Sequence, residues 1–284
     1  MNMSIALSCE YQVDLPIELL EKLNVHVVHM YVSSLEKTYR DDEMPLAGFY
    51  ELARKEGKIG QTSAANLNDY EEHFKKLLAE YDEVIHLAIS SGLSSGYNNA
   101  CIAADGNPKI HVVDSKRASG GTAIQLLYAQ DLLKEGHDAA YIVSELLRRQ
   151  DNMECSFQID TLEFLVRGGR CSRAKMLGAN LLRIKPVIVC TKEGKLVMGK
   201  LHRGKMKKTV REYFDEILAQ PNIDYHRAII EYSTLDDEGM ELYKECLQRL
   251  KDAGFEEVVE GRCSPIAAYH AGPNIIGAQF YLTK

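Results

Sequence analysis

Short apolar, β-branched runs alternate with amphipathic stretches through the first half of the chain. Ile5–Cys9, the stretch from Val25 to Val32, Val84–Ile89 and the stretch from Lys109 to Asp114 read as strands. Between them, Pro16 opens a helix through Leu23, and another runs from Asp69 to Tyr81. Pro45 opens one more, with Leu46, Phe49, Tyr50 and Ala53 on one face and Gly57 at its end. Ser115–Gly121 turns into a long helix closed near Gly136, and Asp138 starts a further one ending near Gln150. Strands alternating with helices predict right-handed βαβ units and a mostly parallel sheet. Ligands of such sheets sit beyond the carboxyl ends of the strands. Glu10, Thr62, Ser90–Ser95 and Asp114–Ser115 follow strands or lie in nearby loops, so they can share one rim.

The pattern changes after about Asn152. Cys155–Ile159 reads as a strand, and Asp160-Thr161-Leu162-Glu163 as a capping box opening a short helix that stops at Arg167-Gly168-Gly169-Arg170. Ser172 caps the next helix, which Pro186 limits. Val187–Cys190 and Leu196–Lys200 form a hairpin about Lys192–Lys195. Helix, strand, helix and strand follow, and Ile276–Leu282 closes the chain as a strand. The expected fold is α/β with two domains. Residues 1–153 form a mostly parallel sheet flanked by helices, residues 154–284 an α+β domain with a mixed sheet, and a ligand lies between them.

Between a buried strand and the helix beginning near Asn98 lies the densest turn, Ile89-Ser90-Ser91-Gly92-Leu93-Ser94-Ser95-Gly96-Tyr97. Free N–H groups, hydroxyls and a positive helix end meet there, which favours an anion by about 1 kcal/mol or more from the dipole alone. Gly92-Leu93-Ser94-Ser95-Gly96 also matches G-x-S-x-G, the nucleophile elbow of α/β-hydrolases, and His270 follows in the right order. A serine esterase or thioesterase using Ser94 and His270 is therefore one reading. Against it, no HGGG-type segment precedes the elbow, and the break near residue 152 does not suit a single hydrolase sheet. A binding hydroxyl and a plain helix cap are the other readings of Ser94.

Composition narrows the class. The chain has 284 residues with a formal net charge of −7, which does not point to a nucleic-acid surface. No run approaches the roughly 18–20 apolar residues of a membrane span. The start of the chain lacks the basic and apolar segments of a signal peptide. Seven cysteines without metal spacing read as reduced, mostly buried thiols in a cytoplasm, and Cys171, beside Arg170 and Arg173, reads either as an inert thiol or as the one whose neighbours lower its pKa. The nine histidines show no metal-site spacing, so no catalytic metal is expected. Thr62 and Ser63 precede a helix, as a cap or as ligands, and His270 sits on an expected tight turn in Tyr269-His270-Ala271-Gly272-Pro273. Arg167, Arg170 and Arg173 surround Gly168 and Gly169, and His202–Lys208 adds a second basic cluster. Such clusters are either solvated turns or one electropositive patch for carboxylate or phosphate.

Several motifs, taken together and in order, resemble the DegV family of bacterial lipid-binding proteins. They are Thr62-Ser63, Ser91–Ser94 (S-G-L-S), Val112–Ser115 (V-V-D-S), Asp160–Arg170 (D-T-L-E-x-L-x-R-G-G-R), Arg203–Lys205 (R-G-K) and His270–Pro273 (H-x-G-P). Better-understood members resemble the fatty-acid-binding subunit of bacterial fatty acid kinase. The resemblance implies a long-chain fatty acid buried between two domains, its carboxylate held by Thr62, Ser94 and His270. Ser63, Ser91, Gly92, Ser95, Gly168 and Gly169 would lie near it, and Arg170, Arg173 and Arg203 would face the phosphate or the kinase. A partner kinase would phosphorylate the carboxylate to an acyl phosphate for phospholipid synthesis. No P-loop is present, as befits a carrier that is not itself an enzyme and needs no cofactor. A lipid-sensing regulator without a kinase fits the same residues. Departures from the family pattern fall at Glu10-Tyr11-Gln12, Ser95-Gly96, Ala64-Ala65-Asn66, Ala271 and Asn274-Ile275-Ile276, the last bringing larger side chains near the carboxylate.

Overall fold

The first strand, β1 (Ile5–Glu10), is buried along its whole length, as an apolar run inside a parallel sheet must be. The computed structural model describes residues 3–34, 37–43, 46, 50, 61–171 and 184–283. β1 lies between β2 (Val25–Val28) and β6 (Glu83–Ala88), and β7 (Ile110–Asp114) completes a four-stranded, wholly parallel sheet in the order β2-β1-β6-β7. The expected strand to Val32 breaks after Val28. Asp41 accepts the Met30 N–H at 2.9 Å and contacts His29 Nδ1 at 2.7 Å, turning the chain out of the sheet. It then enters a small antiparallel sheet, β4-β3-β5, made of Thr38–Arg40, Tyr31–Ser33 and Gln61–Ser63. Thr62 is therefore on a strand and not in the expected loop. The helix expected over residues 45–57 lies mostly outside the described residues, and within it Leu46 and Tyr50 are buried.

Six strands form the second sheet, in the order β10-β9-β8-β13-β11-β12. Their ranges are Met153–Gln158 (β8), Ile184–Cys190 (β9), Leu196–Arg203 (β10), Ile223–Tyr232 (β11), Glu257–Arg262 (β12) and Ile276–Leu282 (β13). Only β11 and β12 pair in parallel, so the sheet is mixed. Helices Met206–Leu218 and Asp237–Asp252 cover its outer face, each burying one apolar stripe.

One helix joins the sheets. Gly120–Lys134 packs against β1 and β6 of the first and against β11 and β13 of the second. Ile124 and Leu126 on it are fully buried, in one apolar cluster with Leu7 and Ile85 on one side and Ile229 and Phe280 on the other. The first two turns of the helix, residues 120–127, are buried on every side, and burying each large apolar side chain there is worth about 1.5–3 kcal/mol. Its amino end, at Ser119–Gly120, opens toward the site described below.

Two further expectations are corrected. Leu162 precedes the short helix Glu163–Gly168 without a side-chain cap. Thr161 Oγ1 accepts only from Glu163 N, at 3.2 Å, while Asp160 pairs with Lys185 and Asn274, so no capping box forms. His270 is not on a turn but in the last turn of the helix Pro265–Ala271. Ser264 caps that helix, Pro265 fits its first position, and Gly272 at φ 88° ends it. The helix expected from Ser172 lies outside the described residues.

Candidate functional site

Three distant stretches converge on one cavity. Thr62 is held by pairing of β5 with β3, opposite the buried Val32. His270 hangs from the last turn of Pro265–Ala271, which packs on the helix Glu163–Gly168. Their side chains meet, with Thr62 Oγ1 2.9 Å from His270 Nε2. Ser94 comes from the turn after β6, where Leu93 and Ser94 N–H both donate to the Ser90 carbonyl, at 3.0 and 3.1 Å. Ser94 Oγ accepts from Gly96 N at 3.2 Å. Thr62, Ser94, Arg170 and His270 all line a single cavity of about 90 Å³. Most of its lining is apolar, including Met30, Leu93, Phe157, Leu165, Ile266 and Ile275.

Arg170 ties two walls together. Its Nη1 donates to the Gly168 carbonyl at 2.7 Å and its Nε to the Leu93 carbonyl at 3.4 Å. Burial, and then the Arg170 charge, push the His270 pKa down to about 3, so the imidazole is neutral. A neutral imidazole beside two hydroxyls and a guanidinium can hydrogen-bond an anion while the arginine balances its charge. The same arrangement does not make a hydrolase couple. His270 Nε2 is bonded to Thr62 and not to Ser94, and no carboxylate orients Nδ1, which is buried without a hydrogen-bond partner among the described residues.

Ser63, Ser91, Gly92, Ser95, Gly168, Gly169 and Arg203 do not line the cavity. Ser63 alternates to the exposed side of β5. Ser91 donates from N and Oγ to the Asp114 carboxylate, at 3.1 and 2.6 Å, and so closes the end of β7. Gly92 abuts the Glu193–Gly194 turn, to whose carbonyl Ser90 Oγ donates at 2.8 Å, docking the hairpin of the second sheet onto the turn of the first. Ser95 is exposed at the helix start, and Gly169 ends Glu163–Gly168 at φ 69°. Gly168 faces the His270 ring. Arg203 is exposed at the end of β10 and does not line the cavity, and Arg173 lies outside the described residues.

Glu10 is also off the cavity. It is fully buried and accepts from Tyr70 Oη at 2.8 Å and Ile89 N at 2.9 Å, holding the Ser90 turn from beneath. Asn274 turns to Asp160, whereas Ile275 lines the cavity. Cys190 has a lowered thiol pKa, through its hydrogen bond with Cys155 and the Arg117 charge, and both cysteines line the cavity. His29, Asp41 and Asp42 approach one another closely enough to offer metal ligands, but His29 pairs with Asp41 and Arg40 with Asp42. Sequence reasoning passed over Ser119, Glu231 and Gln279 and marked Gln12 only as a departure from the family pattern, yet all four line the cavity. Gln279 carried a readable signal as the one polar residue inside an apolar strand, and Glu231 as the one polar residue in the apolar run Ala228–Tyr232.

Comparison with known proteins decides the family. The model of the uncharacterised-protein family DegV matches residues 5–283. The chain belongs to the DegV family. It is 31% identical over 268 residues to the DegV domain-containing protein YteA of Lactococcus lactis, covering 90% of each chain. A Thermotoga maritima relative described as a fatty acid-binding protein is 26% identical, with 97% of this chain and 96% of the relative covered. Among solved structures, a Thermus thermophilus DegV family protein described for its fatty acid binding superposes with a TM-score of 0.86 at 29% identity. That match covers 99% of this DegV chain and 100% of the other. No helix among the described residues is long and apolar enough to cross a membrane.

Proposed function

We propose that this DegV protein binds a long-chain fatty acid in the cavity, its carboxylate on Thr62, Ser94 and His270, and presents it to a partner kinase in the cytoplasm. The observation carrying this reading is the convergence of those three side chains on one mostly apolar cavity. A buried carboxylate without partners is expensive, and two hydroxyls, an imidazole and the adjacent Arg170 answer that cost. The fatty acid binding described for the Thermus and Thermotoga relatives supports the same ligand class. The kinase transfers a phosphoryl group to the carboxylate, giving an acyl phosphate for phospholipid synthesis. Arg170 at the cavity and Arg203 on β10 are the cations assigned to the phosphate and the kinase.

The first test is mass spectrometry of an organic extract of the purified, undigested protein. A stoichiometric fatty acid is the expected result, and an empty extract or a different lipid class overturns the ligand assignment. The second adds ATP and each co-encoded kinase to the loaded protein. Acyl phosphate is expected with one of them, and failure with all removes the carrier role while leaving the ligand in place.

A further inference from the structure

The cavity holds a second group of polar side chains that a plain acyl chain cannot satisfy. Gln12 and Gln279 line it, and each is 1% exposed. The orientation of each amide is set by its other end. Gln12 Oε1 accepts from Ser119 N at 2.9 Å, which leaves Nε2 as a buried donor without a partner among the described residues. Gln279 Nε2 donates to Glu231 Oε1 at 2.9 Å and to the Ser156 carbonyl at 3.4 Å, which leaves Oε1 as a buried acceptor without a partner among the described residues. The two free ends belong to one neighbourhood. Gln12 is bonded to Ser119, and a β-carbon on the next residue, Gly120, would lie 2.2 Å from Gln279 Oε1.

The charges nearby decide what fits. Glu231 accepts from Gly120 N at 2.8 Å beside this pair, and burial together with Asp14 raises its pKa to about 8. Two acids whose own ionisation is suppressed by burial reject an anion, so the carboxylate of a ligand belongs at Arg170 and His270. A methylene would leave both the donor and the acceptor unpaired. A hydroxyl satisfies both, because it donates one hydrogen bond and accepts another.

We propose that the cavity selects acyl chains bearing a hydroxyl group, held between Gln12 Nε2 and Gln279 Oε1, over unsubstituted chains. This rests on the fatty-acid reading above. The test is a displacement titration of the delipidated full chain with octadecanoate and with its monohydroxylated isomers, from mid-chain to the methyl end. At least one isomer is expected to bind about tenfold tighter than octadecanoate. Gln12→Leu and Gln279→Leu are each expected to bring that ratio close to one. If octadecanoate binds at least as tightly as every isomer, the hydroxyl site is overturned and the fatty-acid reading stands. If neither octadecanoate nor any isomer binds, both fail together. The wild-type comparison alone decides the matter should either variant not fold.

Discussion

Gly168 leaves room for the His270 ring: a β-carbon at residue 168 would lie 2.2 Å from Nδ1. Helix Glu163–Gly168 can therefore press against Pro265–Ala271 and aim the imidazole at Thr62. Gly168→Ala must move the ring or part the helices, an overpacking cost of about 1–3 kcal/mol. The expected outcome is a folded protein with a lowered Tm whose fatty-acid affinity drops at least tenfold. Affinity equal to wild type would show that the ring position does not matter to the ligand.

The Thr62–His270 hydrogen bond makes the two residues one unit, which a double-mutant cycle can detect. His270→Ala and Thr62→Val are each expected to weaken fatty-acid retention, and the pair to weaken it by less than the sum. The coupling should be about 1 kcal/mol, as for contacting residues in one network. Strict additivity in binding isotherms would show that the two residues act independently, and unchanged binding in His270→Ala would remove the histidine from the proposed carboxylate site.

Stability should vary with pH in three stages. Burial holds His73 and His270 near pKa 3, well below the ordinary 6.5, so the folded state takes up fewer protons than the unfolded chain in acid. Their contribution is complete above about pH 6.5 and is lost as pH falls toward 3. Asp14, raised to about 7, and Glu231, raised to about 8, act in the opposite sense. Their folded-state protons favour folding below about pH 4, and that advantage is lost as pH rises through 7 and 8. Thermal melts of the ligand-free protein should thus show a plateau between about pH 4 and 6.5, with lower Tm on both sides. Glu231→Gln should flatten the alkaline side. A Tm that climbs from pH 6.5 to 8 in wild type would contradict the burial of these acids.

How far the site is legible in the sequence depends on the range of the interactions that build it. The Ser90–Ser95 turn is local: a β-branched strand, two glycines and a helix start announce it, and hydrogen bonds within the turn build it. Thr62 and His270 stand 208 positions apart, and no periodicity records that they touch. Local chemistry also misplaces both of them. Loop-like composition hid the strand at Thr62, because β3 supplies its pairing, and Ser264-Pro265 starts a helix where His270 read as a turn. Arg117 is 1% exposed, donating to the carbonyls of Thr191 and Gln150 at 2.9 and 2.8 Å. Its partners come from the second sheet's hairpin and from the segment leading into that sheet, so only the folded chain shows that it is a latch. The alternating pattern did predict a parallel sheet and then a mixed one, because strand period and helix period are local properties. It could not predict that one helix would be shared by both.

Arg170 and Arg203 offer a separation of ligand holding from phosphoryl transfer. Arg170 lines the cavity and bridges the Gly168 and Leu93 carbonyls, so its loss loosens both walls of the proposed carboxylate site. Arg203 is exposed at the end of β10 and outside the cavity lining, so its loss leaves that site intact. Arg170→Ala is expected to lower fatty-acid retention several-fold, and acyl-phosphate formation with it. Arg203→Ala should retain fatty acid like wild type while forming acyl phosphate more slowly with the partner kinase. Extract mass spectrometry reads the first quantity and a kinase-coupled assay the second. Kinase-coupled formation unaffected by Arg203→Ala would take that residue out of the docking surface, and retention unaffected by Arg170→Ala would confine the carboxylate to Thr62, Ser94 and His270.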